Sequence, residues 1–170
     1  RRQRQMCIRD RIKGEFTQNT SERSYTGGSD MYGGILWQSG TNATTDEING
    51  TFKENTSRAT NSAYGGIIYI NNGSIGTLTG IFEKNQTIST KSNASGGIIY
   101  NKNNIDTIRA EFKNNQTLGS ETGSQYRRSE SLGGVIYNSS TINKIENSLF
   151  VNNIAKAVHA NGGAIYTYCA

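Results

Sequence analysis

Leu78-Thr79-Gly80-Ile81-Phe82-Glu83-Lys84-Asn85, followed by Gly96-Gly97-Ile98-Ile99-Tyr100, is one turn of a pattern that fills the chain. The second element recurs as Gly33-Gly34-Ile35-Leu36-Trp37, Gly65-Gly66-Ile67-Ile68-Tyr69, Gly133-Gly134-Val135-Ile136-Tyr137 and Gly162-Gly163-Ala164-Ile165-Tyr166. The first recurs as a Phe followed three residues later by Asn: Phe16/Asn19, Phe52/Asn55, Phe112/Asn115 and Phe150/Asn153. The two motifs alternate strictly, with Gly pairs 32, 31, 37 and 29 residues apart and Phe positions 36, 30, 30 and 38 apart. A fixed period of this size is the mark of a repeat architecture, and it is settled before any single element is assigned.

The spacing inside each motif says what the unit is made of. Ile48, Gly50 and Phe52 stand two apart, as do Leu78, Gly80 and Phe82, and Ile108, Ala110 and Phe112. Period two belongs to a strand with one buried face; a helix would require three to four. The fifth copy carries one extra residue between Ile145 and Phe150, which reads as a β-bulge. Turn clusters such as Asn71-Asn72-Gly73-Ser74 separate the strands, and no segment has an amphipathic helical pattern of three turns. Each repeat thus reads as two or three short strands. A unit of about 30 residues without a helix cannot bury its apolar face alone and must stack on its neighbours. The expected fold is all-β: a right-handed, single-stranded parallel β-helix (a pectin-lyase-like solenoid) of about five coils. Equivalent residues then stack about 4.8 Å apart. Leu36, Ile68, Ile99, Ile136 and Ile165 form an inner aliphatic column, the five Phe an inner aromatic one, and the Phe-x-x-Asn asparagines a ladder bonded to turn backbone. Lys53, Glu83 and Lys113 would alternate in sign down one column.

Composition agrees. Hydrophobic residues are 33% and charged residues 18%, while the chain has 20 Gly, 20 Asn, 17 Ser and 18 Thr and no Pro, which excludes helical bundles and charged disordered tails. No run of apolar residues is long enough for a membrane-spanning helix. The formal charge of +5 raises a nucleic-acid partner, but five of the 18 basic residues (Arg1, Arg2, Arg4, Arg9, Arg11) crowd the first eleven positions. The opening Arg-Arg-Gln-Arg-Gln-Met-Cys-Ile-Arg-Asp matches an in-frame translation of a transposase-type sequencing adaptor. Residues 1–11 are accordingly expected to be a non-native scar and 12–170 a fragment of a β-helix repeat domain. Without them the charge is 13 basic minus 12 acidic, or +1, one cysteine remains of two, and the case for nucleic acid disappears.

With both motifs in view, the chain from Ile12 to about Ala170 resembles the polymorphic outer membrane protein repeats of chlamydial type, defined by alternating GGA[ILV] and FxxN. Only Gly162-Gly163-Ala164-Ile165 keeps the Ala; elsewhere Ile or Val replaces it. The resemblance implies a secreted or surface-displayed β-helix of adhesin or autotransporter-passenger type, extracellular, and at the outer membrane if bacterial. Contact with a membrane would come only through an anchor or barrel not contained in these residues. Its partners would be glycans or proteins of a host cell or matrix. It implies no catalytic residue, metal or cofactor.

His159 is the only histidine, so a nucleophilic triad would hang on it, and His/Cys metal sites are excluded by number. Asp46 and Asp106 occupy equivalent places two coils apart with Gly76 between them, too far for a shared metal or an acid/base pair. A carbohydrate-active β-helix enzyme with its acidic site elsewhere is the alternative reading. Four ladder asparagines (Asn19, Asn55, Asn85, Asn115) and five others (Asn42, Asn49, Asn72, Asn93, Asn138) stand in Asn-x-Ser/Thr sequons, of which Asn72, Asn93 and Asn138 are the expected exposed acceptors. The Trp37, Tyr69, Tyr100, Tyr137, Tyr166 column is either packing or a sugar-stacking platform, and Tyr25, Tyr32, Tyr64 and Tyr126, off the motif, are expected to be exposed and freer to bind. The insertion before Gly133 carries Tyr126, Arg127 and Arg128, a candidate binding loop, because insertions in solenoids map to one face.

Overall fold

A computed structural model describes residues 8–24, 30–41, 43–121 and 129–168. Their regular structure is entirely β, and every strand pairing is parallel. The strands stack in four sheets, one strand of each per coil, over five coils. The first sheet comprises Ile8–Thr17, Thr44–Lys53, Ser74–Glu83 and Asn104–Lys113, with a last row in two pieces, Thr141–Ile145 and Leu149–Val151. The second holds Thr20–Arg23, Thr56–Ala59, Gln86–Ser89, Gln116–Leu118 and Ile154–Lys156. The third holds Met31–Tyr32, Ala63–Tyr64, Ala94–Ser95, Glu130–Leu132 and His159–Asn161, and the fourth Leu36–Gln38, Ile68–Ile70, Ile99–Asn101, Ile136–Asn138 and Ile165–Thr167. The chain is a parallel β-helix. Its coils have four strands where the sequence suggests two or three, because strands of two to four residues are too short to display alternation.

The register is the one the motifs dictate. Phe16, Phe52, Phe82, Phe112 and Phe150 are successive partners, and their rings stack at 4.8, 4.5, 5.0 and 4.9 Å. Ile68, Ile99 and Ile136 form the opposite wall, fully buried, with Ile48, Leu78 and Ile108 beside the Phe column. Each such side chain removed from water contributes about 1.5–3 kcal/mol, which sets the cohesion between coils. In the first and last coils the equivalent Leu36 and Ile165 are only partly covered. The first-sheet pairing continues past Ile12 to Ile8, opposite Thr44.

The two glycines of each pair serve different faces. The first has φ between +57° and +69° in all five copies, a left-handed conformation that favours glycine. The second lies where a coil meets its neighbour: a Cβ on Gly66 or Gly97 would overlap the carbonyl of Gly97 or Gly134 and the hydroxyl of Thr87 or Thr117. The extra residue of the fifth coil is a bulge at 146–148. There Ser148 Oγ receives the Ala110 amide (3.2 Å) and donates to the Ile108 carbonyl (3.2 Å), repairing the interrupted ladder.

The Phe-x-x-Asn ladder closes every one of its bonds. Asn55 Nδ2 donates to Asn85 Oδ1 (2.9 Å) and to the Phe16 carbonyl (2.8 Å), while Asn85 Oδ1 also receives the Asn55 amide (3.0 Å). The same set repeats from Asn85 to Asn115 and from Asn115 to Asn153. The residue before each ladder Asn (Gln18, Glu54, Lys84, Asn114, Asn152) is left-handed, with φ from 52° to 57°. The corner is therefore tight enough to aim the amide inward.

Candidate functional site

In the fourth sheet Ile68 and Ile70 point inward, so Tyr69 between them points out, and the same alternation turns Trp37, Tyr100, Tyr137 and Tyr166 outward. Tyr69, Tyr100, Tyr137 and Tyr166 stack ring on ring at 5.1, 4.4 and 5.5 Å. On the third sheet the outward register column runs Tyr32, Tyr64, Ser95, Leu132, Asn161. The two columns touch across the glycine corner: Tyr32 meets Tyr69 edge-on at 4.9 Å, and Tyr64 meets Tyr100 at 5.1 Å. Outer side chains of adjacent faces can meet only where the corner turns inward, so this edge of the rod is a groove. The left-handed glycines form its floor. A Cβ on Gly33 would come within 3.1 Å of Tyr69 Cβ, and one on Gly65 within 3.2 Å of Tyr100 Cβ.

The groove opens at its Trp37 end. Register places Trp37 over Tyr69, yet its ring stacks with Tyr32 at 6.2 Å and makes no ring contact with Tyr69. The gap is a surface cleft of about 300 Å³ lined by Tyr32, Trp37, Tyr69, Asn71 and Lys102. Trp37 is 60% exposed and Tyr69 only 6%, so the cleft has an open wall on one side and a buried one on the other. Asn71 and Lys102 occupy matching turns after consecutive fourth-sheet strands, tied by Asn71 N to the Gln38 carbonyl (2.9 Å) and Lys102 N to the Ile70 carbonyl (2.9 Å). Neither side chain has a hydrogen bond or ion pair within the described residues.

Tyr32 is fixed from behind. Its hydroxyl donates to Asp30 Oδ2 (3.1 Å), and Asp30 Oδ1 also accepts from Asn61 Nδ2 (2.6 Å) and the Ser62 amide (3.1 Å). Burial, and then the Asp30 charge, push the Tyr32 hydroxyl up to about 12. Burial also raises Tyr69, Tyr100 and Tyr137. All four hydroxyls are therefore neutral donors across the physiological range.

The other sequence candidates fall apart in space or are engaged. Tyr126, Arg127 and Arg128, with Tyr25 and Asn42, lie outside the described residues. Asp106 accepts from Asn143 Nδ2 (2.9 Å) and is two coils from Asp46 across Gly76. His159 sits on the exposed last row of the third sheet. No group of three or more His, Cys, Asp or Glu among the described residues could hold a metal ion.

Three expectations need correction. Asn138 is buried rather than an exposed sequon: its Oδ1 accepts from Asn101 Nδ2 (2.7 Å) and its Nδ2 donates to the Ser140 carbonyl (2.9 Å). This is a second amide ladder, and its signal was the Asn directly after Ile-Tyr in two coils. Tyr32 and Tyr64 are half-buried in the groove, not free surface aromatics. Of the charge column, Lys53 pairs with Glu83 (3.6 Å), whereas Lys113 turns to Glu111 on its own strand (2.5 Å). Asp30, Asn71 and Lys102 carried no signal, because they sit in the turns and short strands where the repeat is least regular.

Comparison of the chain with protein-family models, with curated proteins and with solved structures finds no match.

Proposed function

We propose that this chain is a β-helix module of a secreted or surface-displayed protein that works by holding a partner, in adhesion, without chemistry of its own. The observation that carries the reading is the groove in which two outward aromatic columns meet. Aromatic rings placed on a rigid stack of strands lose little freedom on binding; the stacked tyrosines present ring edges and neutral hydroxyls, and Trp37, 60% exposed, presents an open apolar face at the end of the column. That suits the saccharide or protein surfaces of a cell or matrix. The Gly-Gly and Phe-x-x-Asn alternation, with its resemblance to polymorphic outer membrane protein repeats, supports the same role and the same extracellular setting.

The test is direct. The purified chain, immobilised on beads, is incubated with a glycan array and with a panel of extracellular-matrix proteins, beside Trp37→Ala. Trp37 is mostly exposed, so its truncation leaves the fold intact. Retention of a ligand by the wild type and its loss in Trp37→Ala supports the proposal. Failure to retain any glycan or matrix protein, or retention that ignores Trp37, overturns it.

A further inference from the structure

We propose that the cleft between Trp37 and Tyr69 binds a pyranose bearing a carboxylate, a uronate unit of an acidic glycan. This deepens the adhesion reading and rests on it. A sugar ring needs a flat apolar surface for its axial C–H groups, amide or hydroxyl partners for its rim, and, if acidic, a cation at one end. The cleft supplies the three in that order. Trp37, Tyr32 and Tyr69 are the walls, with Tyr32 held in place by Asp30. Among the described residues, Asn71 offers an amide without a hydrogen bond, and Lys102, one coil further along the rod, an ammonium without an ion pair. The backbone positions of the two are one coil spacing, about 4.8 Å, apart, and both side chains line the same cleft.

Charge decides for an acidic sugar over a neutral one. The groups facing the cleft are Lys102 and, behind Tyr32, Asp30. The Asp30 carboxylate is already occupied by three donors, Tyr32, Asn61 and Ser62, and the Arg23 guanidinium donates to its backbone carbonyl (3.3 Å). Lys102 is the one unneutralised charge lining the cleft among the described residues. A lysine without an ion pair, beside the exposed face of Trp37, binds a carboxylate by a charge-assisted bond roughly twice as strong as any it makes to the hydroxyls of a neutral hexose.

The chain has a single tryptophan, and it is Trp37, so emission excited at the red edge of the absorption band, where the nine tyrosines do not absorb, reports on this cleft. The probes are a hyaluronan octasaccharide, whose uronates alternate with neutral sugars, and the same octasaccharide with its carboxylates reduced to hydroxymethyl groups. The expected result is a saturable change in Trp37 emission with the acidic form, weakened about tenfold on carboxyl reduction and about tenfold in Lys102→Gln, and weakened by salt. The Lys102 side chain makes no hydrogen bond or ion pair among the described residues, so Lys102→Gln folds as the wild type. Equal affinity for the two octasaccharides, indifference to Lys102→Gln, or no emission change at millimolar probe overturns the site. If beads still retain a neutral glycan or a matrix protein through Trp37, the adhesion reading stands while this one falls.

Discussion

Replacing Asn85 by Ala removes the most enclosed rung of the amide ladder. Asn85 is fully buried, and four hydrogen bonds pass through its side chain: Nδ2 to the Phe52 carbonyl (2.9 Å) and to Asn115 Oδ1 (3.0 Å), and Oδ1 from the Asn55 amide (3.0 Å) and Asn55 Nδ2 (2.9 Å). Truncation strands the Asn55 N–H and the Phe52 carbonyl and leaves one Asn55 amide hydrogen unmatched, each in a place water does not reach. A buried polar group without a partner costs about 1–3 kcal/mol, so three of them, with some relaxation, cost about 3–5 kcal/mol. That is a large share of the roughly 5–15 kcal/mol that holds a domain together. Asn19→Ala deletes the same chemistry at the exposed end of the ladder, where one side-chain bond to Asn55 (2.9 Å) is lost and water replaces it, costing less than about 1 kcal/mol. Guanidinium unfolding followed by far-UV circular dichroism compares the two, and amide exchange at Asn55 localises the damage. If both variants shift the midpoint alike, or Asn85→Ala costs under about 1 kcal/mol, the ladder is ornament and coil cohesion comes from the apolar columns alone. Asn85→Asp sharpens the test. It sets a carboxylate against two acceptors in a dry interior, so its folded-state pKa lies above the usual value of about 3.9. The penalty grows as pH rises above that value and is relieved in acid, the reverse of an ordinary paired carboxylate.

Gly97→Ala forces a methyl into the Gly134 carbonyl and the Thr117 hydroxyl and is expected to cost about 3 kcal/mol, whereas Gly163→Ala meets its nearest atom at 3.6 Å and is tolerated; paired thermal melts decide. Ser57 Oγ is buried with no partner, while Thr87 and Thr117 in the same column donate to the Gly97 and Gly133 carbonyls (2.9 and 3.1 Å). Ser57→Ala should therefore stabilise by about 0.5–1 kcal/mol, and a loss of stability on denaturant titration would show that the hydroxyl is satisfied after all. The groove tyrosines ionise later folded than unfolded, so the folded state holds more protons above pH of about 10 and stability must fall as pH rises from there toward the Tyr32 value of about 12. Ultraviolet titration of tyrosinate alongside circular dichroism should show late ionisation coinciding with loss of β signal; early ionisation without unfolding contradicts the packing.

Most of the architecture was written in two spacings. Phe-x-x-Asn and Gly-Gly recur in every coil because each coil repeats the same corner and the same close approach, and residues that face identical neighbours above and below are held to identical chemistry. Hence the inner columns, the Asn ladder and the fifth-coil bulge could be read from Phe16, Asn19 and their successors. The third sheet could not. Two-residue strands such as Met31–Tyr32 and Ala63–Tyr64 have no alternation to detect. The burial of Asn138 was hidden because a sequon reads as surface, while the register places it next to Asn101 inside the rod. Lys113 defeated the charge column because Glu111, two residues back on the same strand and face, is a nearer partner than a residue on the adjacent coil.

The same logic separates the groove from the scaffold that carries it. An aromatic at the Trp37, Tyr69, Tyr100, Tyr137, Tyr166 position occurs in all five coils, and the four tyrosines stack regardless of what lies beside them, so the coil itself accounts for that column. Nothing in the coil accounts for Tyr32 and Tyr64. Ser95, Leu132 and Asn161 occupy the equivalent register in later coils, with the same parallel pairing and the same left-handed glycine one residue on. The backbone is therefore indifferent to this position, and the tyrosines there stand at the end where the cleft, Asn71 and Lys102 also lie. In a solenoid whose repeat is set by stacking, a feature that departs from the repeat without changing the stack is free to serve recognition. On the proposed reading, the binding chemistry lies on the first three coils, and the later ones support them.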